Sequence, residues 1–322
     1  MLPLSPAAPR RILLVKTSSL GDVIHNLPVV SDLAAQFPEA EIDWAVEETF
    51  AEIPRLHPRV RRVIPVAVRR WRKHLFARRT WREMAALRRQ LAEAPYDAIL
   101  DTQGLLKSAL IARQAQGPHW GYRADAAREP LAARFYDATF SVPTTLHAVE
   151  RNRRLAAAAF GYDLPSQLDY GIAGARTAQG ASAVLLTATS REDKLWPDAH
   201  WVDLGRALAE RGLVPLLPGG SPLERRRARD LAARIPGAQA IPPMTLTALA
   251  DLLRNARLVV GVDTGLTHLA AAVETPVLAL YTATAPDLTG VAGVGWHCNL
   301  GGRGDVPTVA AALSALASVL PT

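Results

Sequence analysis

Cysteine is nearly absent: Cys298 is the only one in 322 residues. It cannot close an intramolecular disulfide or build a cysteine-based zinc site, so disulfide-stapled secreted scaffolds and zinc ribbons are poor readings. Long apolar runs are missing too. Stretches such as Leu155–Phe160 fall far short of the roughly 18–20 residues that span a bilayer. The run after Arg10 and Arg11 is too short for a signal-peptide core, and no small-residue cleavage site follows it. A cytoplasmic protein is expected. Both common phosphate fingerprints are lacking as well. The first strand-to-helix turn, KTSSLGDVIH (Lys16–His25), is neither G-x-G-x-x-G nor G-x-x-x-x-G-K-[ST]. No Asp-x-Asp pair offers a divalent ion a seat on a diphosphate, and no His, Cys or carboxylate cluster has metal-ligand spacing. Leaving-group charge would then fall to helix amides, lysine and hydroxyls, and no metal is expected.

Lysine is scarce in a different sense. Of 37 basic residues only Lys16, Lys73, Lys107 and Lys194 are lysines, a ratio that an Arg-favouring codon bias accounts for. The excess of seven positive charges is uneven: Arg55–Ala94 holds thirteen Arg and Lys against Glu83 and Glu93. Such a segment suits phosphates, sugar acids, anionic head groups or nucleic acid, and charge alone does not choose among them.

What the chain does have is strand–helix alternation, repeated twice. Short apolar runs at Ile12–Lys16, Ile42–Val46, Arg62–Val68 and Tyr96–Asp101 predict strands. Helical spacing predicts helices over Asp22–Phe37, with Pro28 in its first turns, and Thr80–Ala94. After a looser stretch, Gly161–Gly180, the pattern restarts with strands at Ala183–Thr187, Leu213–Leu217, Ala238–Ile241, Arg257–Val262 and Pro276–Tyr281. Helices are expected near Asp198–Glu210, Pro222–Arg234, Leu246–Asn255 and Leu266–Val273. This is an α/β chain of two Rossmann-like halves facing a cleft, residues 1–168 and 169–322, with the last helix able to pack back on the first half. The halves match in pattern and not in sequence. In open α/β sheets ligands bind beyond the carboxyl ends of strands, so the loops after strands are where chemistry belongs.

Asp22, at the end of the first such turn, reads either as a helix N-cap or as a general base. In the second half VVGVDTGLTHLAA (Val259–Ala271) runs from a buried strand through Asp263, Thr264 and Gly265 into a helix carrying His268. A glycine that admits a ligand to the backbone, and a helix N-terminus with free amides, make a phosphate site. Two further loops could complete it. TSREDKLWP (Thr189–Pro197) brings Thr189, Ser190 and Lys194, a compact point charge. GGSPLE (Gly219–Glu224) brings Glu224, either a ribose acceptor or part of a capped helix. His25, His147, His200 and the other scattered histidines read as structural.

KTSSLGDVIHNLP, DWAVEE, VIPVAVRRWRK, YDAILDTQGLLKSAL, AREPLA and VDTGLTHLAAA together resemble the lipopolysaccharide heptosyltransferase I family, from about Arg11 to Cys298. The resemblance implies a GT-B glycosyltransferase with the acceptor on the N-terminal domain and the nucleotide sugar on the C-terminal one. It implies transfer of L-glycero-D-manno-heptose from ADP-heptose to the Kdo of Kdo-lipid A, with inversion, at the cytoplasmic face of the inner membrane, where the basic patch would meet lipid A phosphates. Matched position by position, Asp22 falls on the family's catalytic base. Thr189, Ser190, Lys194, Glu224, Asp263, Thr264, Gly265 and His268 fall on its ADP-heptose site, and Arg69, Arg70, Arg72, Lys73 and Arg128 on its acceptor site. Ser190 stands where a second Thr is common, and Thr187 where His is expected. The residues before Arg10 read as a disordered leader. Rival readings are a transferase adding the second heptose, a nucleotide-sugar epimerase, and a non-catalytic module binding an anionic ligand or nucleic acid. The last finds no recognised nucleic-acid motif and few interleaved aromatics beyond Trp71 and Trp81, so no nucleic-acid partner is expected.

Overall fold

The computed structural model describes residues 8–175 and 180–320; Met1–Ala7, which include most of the expected leader, lie outside them. The chain divides between Gly171 and Ile172 into two compact units. Each is built on one six-stranded parallel sheet. In the first unit the strands are β1 (Arg11–Val15), β2 (Glu41–Glu47), β3 (Val60–Val66), β4 (Ala98–Asp101), β5 (His119–Tyr122) and β6 (Ala138–Phe140), in the order β3-β2-β1-β4-β5-β6. In the second they are β7 (Ser182–Leu186), β8 (Val214–Pro218), β9 (Gln239–Ile241), β10 (Leu258–Val262), β11 (Val277–Tyr281) and β12 (His297–Gly301), in the order β9-β8-β7-β10-β11-β12. The two orders are the same doubly wound arrangement. Its switch point lies between the first and fourth strands of each sheet, β1/β4 and β7/β10.

The apolar runs that announced the strands are continuous because helices cover both faces of a parallel sheet. Ile12, Leu13, Leu14 and Val15 are fully buried, as are Val259, Val260 and Val262. The last helix, Val309–Leu316, packs its Ala312 and Leu316 into the second unit's core beside Trp196, Trp201 and Leu208.

The sequence pattern and the structure part in several places, among them the unread helices Leu106–Ala112 and Ala148–Phe160. The helix expected over Asp22–Phe37 is two helices, Leu20–Ile24 and Leu27–Gln36. Pro28 has no amide to donate to Ile24, so the first helix ends and Asn26 begins a second with Pro28 in its first turn. The strand expected over Arg62–Val68 ends at Val66, and Val68–Trp71 is a short helix. Strands β5, β6 and β12 lie on runs not read as strands at all.

Candidate active site

At the switch point of the first sheet, β1 ends in Lys16 and the turn Thr17–Gly21, and β4 ends in Asp101, Thr102 and Gln103. The first turn is held from both sides. On the β2 side, Lys16 N donates to Ala45 O, Glu47 N to Thr17 O and Trp44 Nε1 to Lys16 O. On the β4 side, Gln103 Oε1 accepts from both Thr17 N (3.0 Å) and Ser18 N (3.1 Å). Gln103 is itself set by buried Asp101, whose Oδ1 accepts from Gln103 N and whose Oδ2 accepts from Tyr136 OH.

Asp22 sits on the helix that follows. The N-cap is Ser19 and not Asp22, which corrects one of its two expected roles. Asp22 is the third helical residue, and its Oδ2 reaches back to accept from Ser19 N at 2.8 Å, completing a capping box. Arg128 grips the same carboxylate with two contacts, Nη2 to Oδ1 at 3.1 Å and Nη1 to Oδ2 at 3.2 Å. Burial works against ionisation here, but the charges of Lys16 and Arg128 and the Ser19 amide outweigh it and hold the carboxyl below the usual aspartate range. Asp22 is therefore ionised at neutral pH. Its Oδ1, bound only by Arg128, is the freer oxygen.

A pocket opens over this carboxylate, walled by Lys16, Thr102, Gln103, Tyr122, Arg128, Arg151 and Asn152. Asp22 is its one carboxylate; the rest of the polar lining is largely donors. Lys16 Nζ donates to Thr102 O at 2.8 Å and to Asn152 Oδ1 at 3.2 Å, and burial pushes its ammonium down to about 8. Gln103 Nε2 is buried with no hydrogen-bond partner among the described residues. Chemically, such a lining suits an anionic group beside an ionised carboxylate.

The basic segment divides by role. Arg70 bridges Glu48 and Glu83, the latter at 2.8 Å. Arg69 stacks over the Phe50 ring at 5.1 Å while its amide donates to Glu47 Oε1. Arg72 and Lys73 are exposed and make no ion pair among the described residues. Lys107, not anticipated, joins this segment to the turn. It donates to Ser18 Oγ at 2.8 Å, and its ammonium, lowered first by burial, also feels Glu47, Arg69, Arg72 and Asp22.

The second sheet repeats the placement with a different carboxylate. Asp263 follows β10, the fourth strand, where Asp22 follows the first. The N-cap of the helix that follows is its neighbour Thr264. Asp263 Oδ2 accepts from Lys194 Nζ and from Thr284 Oγ1, both at 2.7 Å, and Oδ1 lies 3.8 Å from His268 Nε2. Burial opposes ionisation, yet His268, Lys194 and Thr284 together hold this carboxyl far below the ordinary range. Thr189 Oγ1 donates to Asp263 O at 3.2 Å. Thr189, Lys194, Asp263 and His268 are thus brought to one point. Thr264 makes no side-chain capping bond and its carbonyl takes Thr267 N, so the Gly265 and Leu266 amides at the start of helix Gly265–Ala272 face outward for an anion.

Two expected donor residues stand apart. Ser190 is exposed and joins no contact in this cluster. Glu224 closes a capping box, its Oε2 accepting from Gly220 N (2.9 Å) and Ser221 N (2.8 Å). A Cβ at Gly219 would lie 2.8 Å from the backbone of Glu224 and Arg225, so this glycine lets the loop pack close on the helix Pro222–Ala232. Residues missed from sequence are Lys16, Asp101, Gln103, Lys107, Asn152 and Thr284. Lys16, Asp101 and Gln103 lie at the ends of β1 and β4, the strands bordering the first switch point, which is the signal that would have found those three.

The family description "Glycosyltransferase family 9 (heptosyltransferase)" matches residues 84–312. Lipopolysaccharide heptosyltransferase 1 of Pseudomonas aeruginosa PAO1 is 47% identical over 289 residues, 88% of this chain and 81% of its own. Its namesake in Escherichia coli K12 is 46% identical over 87% of this chain and 90% of its own. The solved E. coli heptosyltransferase WaaC with ADP superposes with a TM-score of 0.91 at 42% identity, covering 96% of this chain and 99% of that one.

Proposed function

This chain belongs to glycosyltransferase family 9, the heptosyltransferases, and from that premise we propose that it transfers L-glycero-D-manno-heptose from ADP-heptose to the Kdo of Kdo-lipid A. Heptose transfer in lipopolysaccharide core assembly rests on its likeness to heptosyltransferase 1 along nearly the whole chain, the observation that carries the reading. Transfer of the first heptose in place of the second fits the much higher identity to type 1 than to the Salmonella typhimurium heptosyltransferase 2, at 25%.

In the mechanism the acceptor's carboxylate enters the donor-lined pocket of the first unit. Its hydroxyl lies against Asp22 Oδ1, which takes the proton as attack begins. Arg128 holds that carboxylate in place and pairs with the anionic acceptor. On the other substrate, the first-turn amides of helix Gly265–Ala272 and the Lys194 ammonium take the diphosphate charge that grows as ADP departs. Attack opposite the leaving group through an oxocarbenium-like state inverts the anomeric centre, so one carboxylate suffices as base. Helix amides and an ammonium neutralise the leaving group, which makes the reaction metal-independent and cofactor-free in this reading. The enzyme works as a peripheral protein on the cytoplasmic face of the inner membrane, drawn there by its basic segment. In the structure itself, no helix among the described residues is long and apolar enough to cross a membrane.

The test is direct. Purified protein with ADP-heptose should release ADP on addition of Kdo-lipid A, and the product's anomeric configuration read by NMR should be opposite to the donor's. EDTA should leave turnover largely intact. Turnover only with an already heptosylated acceptor would assign the second transfer instead.

A further inference from the structure

Between the short helix Val68–Trp71 and the helix Arg78–Leu91 the chain turns at a tip with unusual side chains. Phe76 is fully exposed at 102% relative accessibility, Trp81 is 61% exposed and Leu75 50%. Large apolar groups left this far in water on a protruding turn call for a partner. Seven Arg and Lys lie within residues 69–82, and no acid does. The nearest acid, Glu83, is taken up internally: Trp71 Nε1, Arg70 Nη1 and Arg79 Nε all donate to it at 2.8 Å. Arg72, Lys73, Arg78 and Arg82 are exposed and enter no ion pair among the described residues. The tip is also built. Thr80 Oγ1 donates to His74 O at 2.7 Å and Trp81 Nε1 to Leu75 O at 2.9 Å, so the indole is laid beside Leu75 and Phe76.

We propose that residues 72–82 are a membrane-docking tip, in which Leu75, Phe76 and Trp81 enter the head-group region of an anionic bilayer and Arg72, Lys73, Arg78 and Arg82 bind its phosphates. Apolar side chains ringed by unpaired cations complement that surface on both counts, and an indole with its N–H already satisfied is suited to the interface. The occupant is a lipid surface and not a nucleic acid, because Leu75 and Phe76 would gain nothing from a solvated phosphate backbone. The inference deepens the peripheral location proposed above and rests on it, but its test needs no heptose transfer.

Full-length protein is mixed with vesicles of phosphatidylcholine alone, or with 30 mol% phosphatidylglycerol (a composition on the order of that used to give a strongly negative surface). Sedimentation should show binding to the anionic vesicles only. Tryptophan emission should shift to the blue on binding, and Trp81→Phe should remove that shift. Phe76→Ser should weaken partitioning about tenfold, the value of burying a large apolar side chain. Arg78→Gln and Arg82→Gln should each weaken it about fivefold. With a soluble Kdo acceptor, turnover of Phe76→Ser should stay at the wild-type level. Equal binding of all variants, or binding to single-stranded RNA that outcompetes the anionic vesicles, overturns the proposal. Failure of the wild-type protein to bind anionic vesicles while it still transfers heptose would overturn the tip alone; vesicle binding without any transfer would overturn the enzymatic reading alone.

Discussion

Replacing Asp22 by Asn separates the two jobs this carboxylate holds in the structure. As third residue of its helix it accepts from Ser19 N at 2.8 Å, and an amide oxygen can do the same. What Asn loses is the ion pair with Arg128, whose side chain is 48% exposed. A pair that open to solvent is worth less than about 1 kcal/mol, and Asn no longer carries a charge that burial penalises. The Asn variant should therefore unfold within about 1 kcal/mol of wild type, a shift of roughly 2–4 °C at most. Asp22→Ala loses the capping contact too and should fall about 1 kcal/mol further. Turnover follows a different rule. If Oδ1 takes the acceptor proton, Asn should lower kcat by about 10²–10⁴ with little change in affinity for ADP. The pH profile adds a second arm. A carboxyl held low is competent above its pKa and fails as pH falls through it, so the acid limb of kcat should lie below the ordinary aspartate range. Arg128→Gln removes one of the charges that hold it there, and the limb should move to higher pH. Scanning fluorimetry and an ADP-release assay on the same preparations suffice. An Asn variant keeping more than about a tenth of wild-type turnover, a loss too small for a missing base, would leave Asp22 as a structural residue and refute the mechanism.

Lys194→Ala should weaken ADP-heptose binding by about 1.5–3 kcal/mol in calorimetry, since a charge-assisted contact is lost beside Asp263; unchanged affinity would take Lys194 off the diphosphate. Arg72→Ala and Lys73→Ala should raise the apparent KM for Kdo-lipid A, more at low salt, and leave ADP affinity alone. Equal loss of both ligands would put the segment at the wrong substrate. Lys16 loses its proton at about 8, so acceptor KM should climb above that pH while ADP affinity stays flat; a flat acceptor KM up to pH 9 would remove Lys16 from acceptor binding. Asp32→Ala should cost about 3–5 kcal/mol in denaturant unfolding, because it removes the carboxylate that holds buried Arg153 at 2.7 and 2.9 Å and leaves its charge to the Pro165 and Gln167 carbonyls. A loss below about 1 kcal/mol, the size of an exposed pair, would contradict that burial.

The central strands were legible because burial on both faces leaves no polar alternation: ILLV and LVVGV can hardly be anything else. The edge strands were not. HWGY and HCNLG carry few β-branched residues and owe their extension to a neighbour already in place, Ile99 pairing with His119 and Val277 with His297. Pro28 stands in the first turns of a single expected helix, where its missing amide divides the run into two. Among site residues, Asp22, Asp263, Lys194 and His268 could be read from turns that follow strands. Arg70 looked identical to Arg72 in sequence; only the fold shows that Glu48 and Glu83 consume it. Asp101 and Gln103 were visible within DTQGLLKSAL, but their role depends on β1 and β4 lying side by side, which no local pattern states.

Thr17 and Ser18 donate their amides not to a neighbouring strand but to one side-chain oxygen, that of Gln103. Amides locked in a ladder exchange with solvent only when the sheet opens; these two can exchange whenever a single glutamine changes rotamer. This turn, which leads into the helix of Asp22, thus has its own opening event, far less costly than unfolding β1, from which it springs. Deuterium should enter Thr17 and Ser18 well before Leu13 and Leu14, a few residues earlier on β1.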